Sequence, residues 1–445
     1  MVTETAALDA GGEGMFPVRR DAGKQGFQPL SDTLGTLYVA VTVVIMAYSS
    51  LFTVVPILVF LLLWLSHAWY KGSFTLRLSP AAVAVLSFPL LCCYSTFWSD
   101  YPARTLYQGM ELLTLVLCAI IMSRVVRPRP FIQGLCFGAM IVLGMTLASG
   151  NYSKDYLSGT YSLVGLFGSK NQVGFVAEIA IYAGLLGLFF RGRWLNKLFF
   201  SVLPLGAAFA CIVLSNSATS IASLAILAAF TLIIFGVTLF PARYRTGVAA
   251  FLGLSLVAFG TLIAAAHLDI TTAALDVLGK SPTLTGRTYL WSEGFKNGLL
   301  HPVLGCGYSA FWVPGQVKAE QYWHEFYISG ESGFHFHNLF VQTFVDLGAV
   351  GVILLSSLLL VSCAKSLRAV LRGGFSLESG ITFGLSFMFL IRACFEVDAL
   401  GPYGIGPLLF FSLLPMQEAA RQPPKEYGSK RNQVSPRTLN QLEYR

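Results

Sequence analysis

What most constrains this chain is a succession of apolar stretches, each roughly 17 to 25 residues long, the length a helix rising 1.5 Å per residue needs to cross hydrocarbon. They fall at 33–48, 52–69, 81–98, 105–122, 130–149, 171–190, 197–214, 219–240, 247–266, 337–363, 379–396 and 402–417, which predicts about twelve spans. Only 12% of the 445 residues are charged and 55% are hydrophobic. An ordinary soluble domain carries about a quarter charged residues, so the fold class expected is all-α, a polytopic integral membrane protein.

The segments between the spans set the orientation. Residues 1–32, with Arg19, Arg20 and Lys24, lack the apolar core of a cleavable signal peptide and read as a disordered cytoplasmic tail, with a second tail at 418–445. With the N-terminus inside, alternate short loops hold Lys71 and Arg77, then Arg124, Arg127 and Arg129, then Arg191, Arg193 and Lys197, then Arg243 and Arg245, then Lys365, Arg368 and Arg372. Together with the tails these make 22 of the 30 Lys and Arg residues, so the positive-inside rule puts both termini in the cytoplasm. The same rule accounts for the net charge of +8 without a nucleic-acid partner, because the basic residues are scattered between apolar segments. Seven of the eight cysteines lie in or beside apolar segments and Cys306 stands alone in a loop, so neither a disulfide framework nor a zinc site is expected.

One outside segment, 267–336, is far longer than the others, and long loops on a rigid scaffold are where function concentrates. From Tyr289 to Phe336 it carries twelve aromatics, among them Trp291, Trp312 and Trp323, which suit stacking on sugar rings or packing at the membrane surface. Four ionisable residues fall inside predicted spans: Glu111, Glu178, Asp346 and Arg392. On this topology all four lie roughly 6 to 14 Å below the outer surface. Such residues usually face a bundle interior or a wet cavity, so they point to a polar cavity opening outward, or else to structural pairing, for instance of Asp346 with Arg392.

Three outward constellations carry chemistry. Gly165-Leu166-Phe167-Gly168-Ser169-Lys170-Asn171-Gln172-Val173-Gly174 opens a span, so that free backbone N–H groups and the helix dipole sit beside an ammonium and suit an anion; Ser169 or Asn171 could equally cap the helix. Leu284-Thr285-Gly286-Arg287-Thr288-Tyr289-Leu290-Trp291 leads to Gly298, ten residues intervening after Arg287, and on to Gly307-Tyr308-Ser309-Ala310-Phe311-Trp312. A guanidinium there can grip two phosphate oxygens at once, or serve as a solvated surface charge. His335-Phe336-His337-Asn338 precedes Val345-Asp346-Leu347-Gly348, and an imidazole at the mouth of a span can take a proton from a sugar hydroxyl.

Taken in order, with the turn Phe97-Trp98-Ser99-Asp100-Tyr101-Pro102, these motifs resemble the O-antigen ligase and polymerase superfamily, in particular its ExoQ-type exopolysaccharide polymerase branch, over roughly residues 85–415. The resemblance implies a helical membrane glycosyltransferase related to the C-type transferases, free of metal and cofactor, in the bacterial inner membrane. It implies undecaprenyl-diphosphate-linked oligosaccharide as substrate and a flippase and chain-length regulator as partners. The family's external Arg corresponds to Arg287 and its His to His337. Many ligases of the superfamily carry a further Arg after the seventh span, where this chain has Ser215-Asn216-Ser217-Ala218-Thr219-Ser220; Lys170 is the expected substitute.

The expected reaction is attack by a glycan hydroxyl on the anomeric carbon of a lipid-diphosphate-linked glycan, with inversion. His337 would be the base, and Arg287 and Lys170 would hold the departing diphosphate. Ser169, Lys170 and Asn171, then Gly286, Tyr289 and Trp291, then His335 and Asn338 are the candidate substrate contacts. Should His337 not serve, Asp346, Glu178 or Glu331 would be next in line as base. Gly307 to Trp312 favours a polymerase over a ligase acting from the same lipid, and the large outer loop argues against a transporter.

Overall fold

The computed structural model describes residues 30–49, 54–70, 79–154, 159–189, 193–265, 286–328, 330–331, 333–401 and 403–419. The two tails, the loop with Lys71 and Arg77, and the first part of the long outer segment up to 285 lie outside the described residues.

Each of the twelve predicted apolar segments is met by a helix. These are α1 (Asp32–Ala47), α2 (Val54–Tyr70), α3 (Pro80–Tyr94), α4 (Pro102–Val125) and α5 (Pro128–Ser149), then α6 (Lys170–Phe189), α7 (Trp194–Leu214, with a π turn at Leu198–Val202), α8 (Ala218–Thr238) and α9 (Ala242–Ala265). After the long segment come α12 (Leu339–Gly373), α13 (Leu377–Ala393) and α14 (Ile405–Ala419). Among the described residues seven helices are both long and apolar enough to cross a membrane, while α1 and α2 are apolar but shorter. The fold is therefore an all-α, polytopic membrane bundle. Its core runs through α4, α5, α6, α13 and α14, where Leu112, Phe131, Val173, Phe383 and Phe411 are buried.

Between α5 and α6 a two-stranded antiparallel hairpin, β1 (Tyr152–Lys154) with β2 (Tyr161–Leu163), pairs Ser153 with Ser162. The described part of the long segment is folded: α10 (Arg287–Gly298) and α11 (Val317–Glu325) close over their own aromatic core of Phe311, Tyr322, Trp323 and Phe336. Trp323 is 2% exposed and Trp312 packs among five other rings, so these two serve the loop's core and not sugar stacking.

Two glycines explain motif spacings. Gly298 ends α10 where a Cβ would collide with the Phe344 ring of α12, so the chain from Arg287 to Gly298 is one helix docked onto another. Gly348 breaks α12 with φ 61°, a value that L side chains rarely adopt, and a Cβ there would strike the Val303 carbonyl. The backbone of 302–307 fills the break. Cys306 and Gly307 N–H donate to the Val345 and Asp346 carbonyls at 3.0 and 2.9 Å, and Ala349 and Val350 donate to Pro302 and Val303 at 2.9 and 3.2 Å. The turn after α3 anchors the same loop: Trp98 Nε1 donates to Leu304 O at 3.0 Å, and Asp100 N–H to Cys306 O at 3.1 Å. Gly307 to Trp312, like the Phe97 to Pro102 turn, is thus scaffold.

Candidate active site

Arg287 opens α10 directly after Gly286, which takes the left-handed conformation at φ 84° and leaves no room for a side chain beside the Phe326 ring. Being the first helical residue, Arg287 extends off the helix end toward the bundle. Its Nη2 lies 2.7 Å from Glu396 Oε1, and its Nη1 donates to the Phe395 carbonyl at 2.8 Å and to Thr219 Oγ1 at 3.2 Å. The serine-rich turn at 215–220 thus supplies one hydroxyl, that of Thr219, to orient Arg287.

His337 precedes the N-cap of α12 with φ 51°, a left-handed conformation that costs a non-glycine residue about 1–2 kcal/mol. Both of its backbone groups are gripped. Its N–H donates to His335 Nδ1 at 3.1 Å and its carbonyl accepts from Trp291 Nε1 at 3.3 Å. Asn338 caps α12 by accepting from Phe340 and Val341 N–H, and donates to the Cys394 carbonyl at 3.1 Å. His335 must present an unprotonated Nδ1 to make its bond, and burial, aided by the neighbouring His337, pushes its pKa down to about 3.

The residue that joins these parts is Glu396. Its Oε1 meets Arg287 and accepts from Asn171 Nδ2 at 2.8 Å, and its Oε2 lies 3.3 Å from His337 Nδ1. Burial alone would raise this carboxyl, but the His337 hydrogen bond and the Arg287 guanidinium outweigh it and hold it well below the ordinary carboxylate range. An ionised carboxylate only accepts, so the hydrogen of that contact sits on His337 Nδ1 and Nε2 is left as an acceptor. Asn171 is fixed in turn: its Oδ1 accepts from Ser217 Oγ at 3.0 Å, which assigns its amide toward Glu396. Gly174, one turn along α6, is where Ser217 and Ser220 of the α8 start press in, with Ser217 Cβ 3.2 Å from an added Cβ.

A cavity of about 340 Å3 is lined by Ser169, Lys170 and Asn171, by Arg287 and His337, by Ser153 and Ser162 of the hairpin, and by Phe326 and Phe334. Five predicted contacts do not line it: Gly286, Tyr289, Trp291, His335 and Asn338. Tyr289, two residues past Arg287, lies on another face of α10 and donates to Glu325 Oε2 at 3.0 Å. Trp291, on the same face as Arg287, clamps the His337 backbone, and Asn338 is a helix cap; both position His337.

The intramembrane charges divide. Arg392, fully buried, donates to Glu178 Oε2 at 3.1 Å, to Asp398 Oδ2 at 2.6 Å and to Ser220 Oγ at 3.1 Å, so its partners are Glu178 and Asp398 and not Asp346. Asp346 accepts from Gln342 at 3.1 Å and Glu111 from Gln108 at 3.0 Å. Because Glu178 is committed to Arg392 and Asp346 lies at the helix break, neither stands beside His337 as an alternative base.

The ligand atoms of His335, His337 and Glu396 lie within 4.8 Å of one another, a spacing that a metal ion could bridge.

The described site missed by the sequence reading is the Glu396 hub with Ser217 and Thr219. Its signal was present: Arg392 marks the end of α13, which makes Glu396 and Asp398 an acidic pair just beyond a span.

Comparison with known proteins matches residues 203–356 to the family model described as O-antigen ligase. The chain is also 35% identical, over 388 residues, to a protein of Rhizobium meliloti (strain 1021) called "Exopolysaccharide production protein ExoQ", covering 86% of this chain and 87% of that one. The chain belongs to the ExoQ-type branch of the O-antigen ligase superfamily. As a member, it is a multi-pass membrane protein of exopolysaccharide biosynthesis, with a glycosyltransferase-like polymerase or ligase activity.

Proposed function

We propose that this ExoQ-type protein polymerises undecaprenyl-diphosphate-linked oligosaccharide repeats at the periplasmic face of the inner membrane. The observation that carries the reading is the juxtaposition, around one cavity, of two cations and an imidazole whose ring is oriented by a buried carboxylate. Arg287 and Lys170 receive the departing diphosphate, whose charge grows as the glycosidic bond breaks. His337 Nε2 takes the proton of the acceptor hydroxyl, and Glu396 compensates the positive charge that then appears on the ring. One displacement inverts the anomeric centre. Both termini are cytoplasmic on this reading, and the folded segment 286–338 faces outward. A flippase supplies the donor and a chain-length regulator limits the product.

The test is reconstitution of the purified protein in nanodiscs with lipid-linked repeats alone. A ladder of products growing by one repeat is expected. Products that form only when lipid A core is added would make the protein a ligase.

A further inference from the structure

Three spans locate the membrane boundary on the side of the bundle that carries the long segment, and all three mark the same place. A helix crosses hydrocarbon in about 20 residues, which counted back along α12 from Lys365, the first basic residue at its far end, reach Val345. The Val345 carbonyl is the one that accepts from Cys306 N–H. The apolar stretch holding α3 ends at Phe97, and the next residue, Trp98, donates to Leu304 O. Two residues after α4 opens at Pro102, Arg104 Nε donates to Ser309 O at 3.1 Å. Residues 304–309 therefore stand at the boundary. Tyr94, Phe97 and Trp98 gather there, with Phe97 80% exposed, as rings do at a membrane interface.

The chain just before Leu304 goes deeper. The partners of Pro302 and Val303 on α12 are Ala349 and Val350, which at 1.5 Å per residue stand about 7 Å below Val345. This stretch turns large apolar side chains outward: Leu300 is 72% and Val303 60% exposed, with Leu299 and Leu304 exposed beside them. The same apolar surface continues onto α12 at Val350 and Ile353.

We propose that residues 299–304 are a re-entrant membrane anchor, inserted among the phospholipid acyl chains of the leaflet on that side. The assignment holds for either orientation of the chain and for a polymerase or a ligase. Irregular backbone is tolerated at membrane depth only where the protein pairs its polar groups. Here the carbonyls of Pro302, Val303 and Leu304 and the amides of Gly305, Cys306 and Gly307 all have protein partners. An exposed run of large apolar residues continuous with a lipid-facing helix fits acyl chains. Lys296 and His301 flank it with polar tips on apolar bodies, which suit the boundary itself. Because α10 runs from Arg287 to this stretch, the insertion fixes one end of the helix that carries the guanidinium.

The experiment uses the full chain in nanodiscs of palmitoyl-oleoyl phosphatidylglycerol, with the exposed Cys394 replaced by Ser. One nitroxide label at a time is placed on Leu300→Cys, Val303→Cys, Leu254→Cys or Lys318→Cys. Leu254, 71% exposed on α9, reports hydrocarbon, and Lys318, an exposed charged residue of α11, reports water. Power saturation compares collisions with oxygen, which concentrates in hydrocarbon, and with a neutral nickel chelate, which stays in water. Labels at 300 and 303 are expected to prefer oxygen as the label at 254 does, a reversal of the nickel preference at 318. Two positions keep the test decisive should one variant fail to accumulate. Nickel preference at 300 and 303 would overturn the anchor. Shielding from both reagents would overturn it too, because a protein surface such as a second copy of the chain would then cover the stretch in place of lipid.

Discussion

Replacing Glu396 by Gln keeps the shape of the hub and removes its charge. The consequence for catalysis follows from the 3.3 Å contact between Glu396 Oε2 and His337 Nδ1. When His337 takes the acceptor proton, the imidazolium gains about 5 kcal/mol from a carboxylate at that distance, taking an effective dielectric constant of about 20. At 1.36 kcal/mol per decade, losing all of it would slow transfer by somewhat more than about 10^3-fold. Water reaching the partly exposed His337 screens part of that, so a loss of about 10^2- to 10^3-fold is expected. A Gln amide can also donate to Nδ1, which would move the ring hydrogen to Nε2 and leave no acceptor facing the substrate. Arg287 is meanwhile released from its 2.7 Å pair, so the donor should bind as well as before or better, and the loss should appear in kcat with KM unchanged or lower. The assay is initial-rate transfer in nanodiscs at matched protein amounts, with membrane abundance checked by blot. If Glu396→Gln retains more than about a tenth of wild-type turnover, Glu396 does not act through His337.

His337→Ala should abolish transfer while binding of lipid-linked donor persists, measured by titration; near-normal turnover would remove His337 as base. Arg287→Lys keeps a charge but loses the fork that reaches Glu396, Phe395 and Thr219 together, so polymer should fall at least about tenfold at normal abundance, measured by gel ladder. Transfer should survive EDTA dialysis, and activity lost on chelation and restored by a divalent ion would put a metal on His335, His337 and Glu396. His335, with its folded-state pKa at about 3 and an ordinary value near ~6.5 when unfolded, binds more protons unfolded than folded between those values. Its contribution to stability is therefore full above about pH 6.5 and declines as pH falls toward 3, so His335→Gln should flatten the fall in Tm between pH 7 and 4. Equal slopes would refute this.

Hydrophobic length alone was enough to locate the apolar helices, because crossing hydrocarbon leaves a continuous apolar run that no soluble pattern imitates. The candidate site was legible where a residue type is rare for its place: Arg287 and His337 on the long loop, Glu178 and Arg392 in spans. Glu396 was hidden because the expected span ran to 396, whereas α13 ends at Ala393; a three-residue error at a helix end turned the hub into a span terminus. Arg392 was paired in expectation with Asp346, since sequence gives depth but not azimuth, and only the packing of α6 against α13 brings Glu178 to it. Tyr289 and Trp291 were grouped with Arg287 by adjacency, and a helix separates neighbours in sequence by about 100° each. Phe326, Phe334 and the Ser153–Ser162 pair carried no signal, as their role depends on where three separate segments meet.

The break in α12 has a bearing on engineering. Four backbone bonds between 302–307 and 345–350 replace the ladder that the break interrupts, so neither strand of this knot is complete alone. Exchanging the outer segment between relatives to alter their products would strand amide and carbonyl groups at the edge of the bilayer unless residues 302–350 travel together as one cassette. His337 and the Gly348 break would then move as a unit, and the junctions would fall in the turn after α10 and in the regular part of α12.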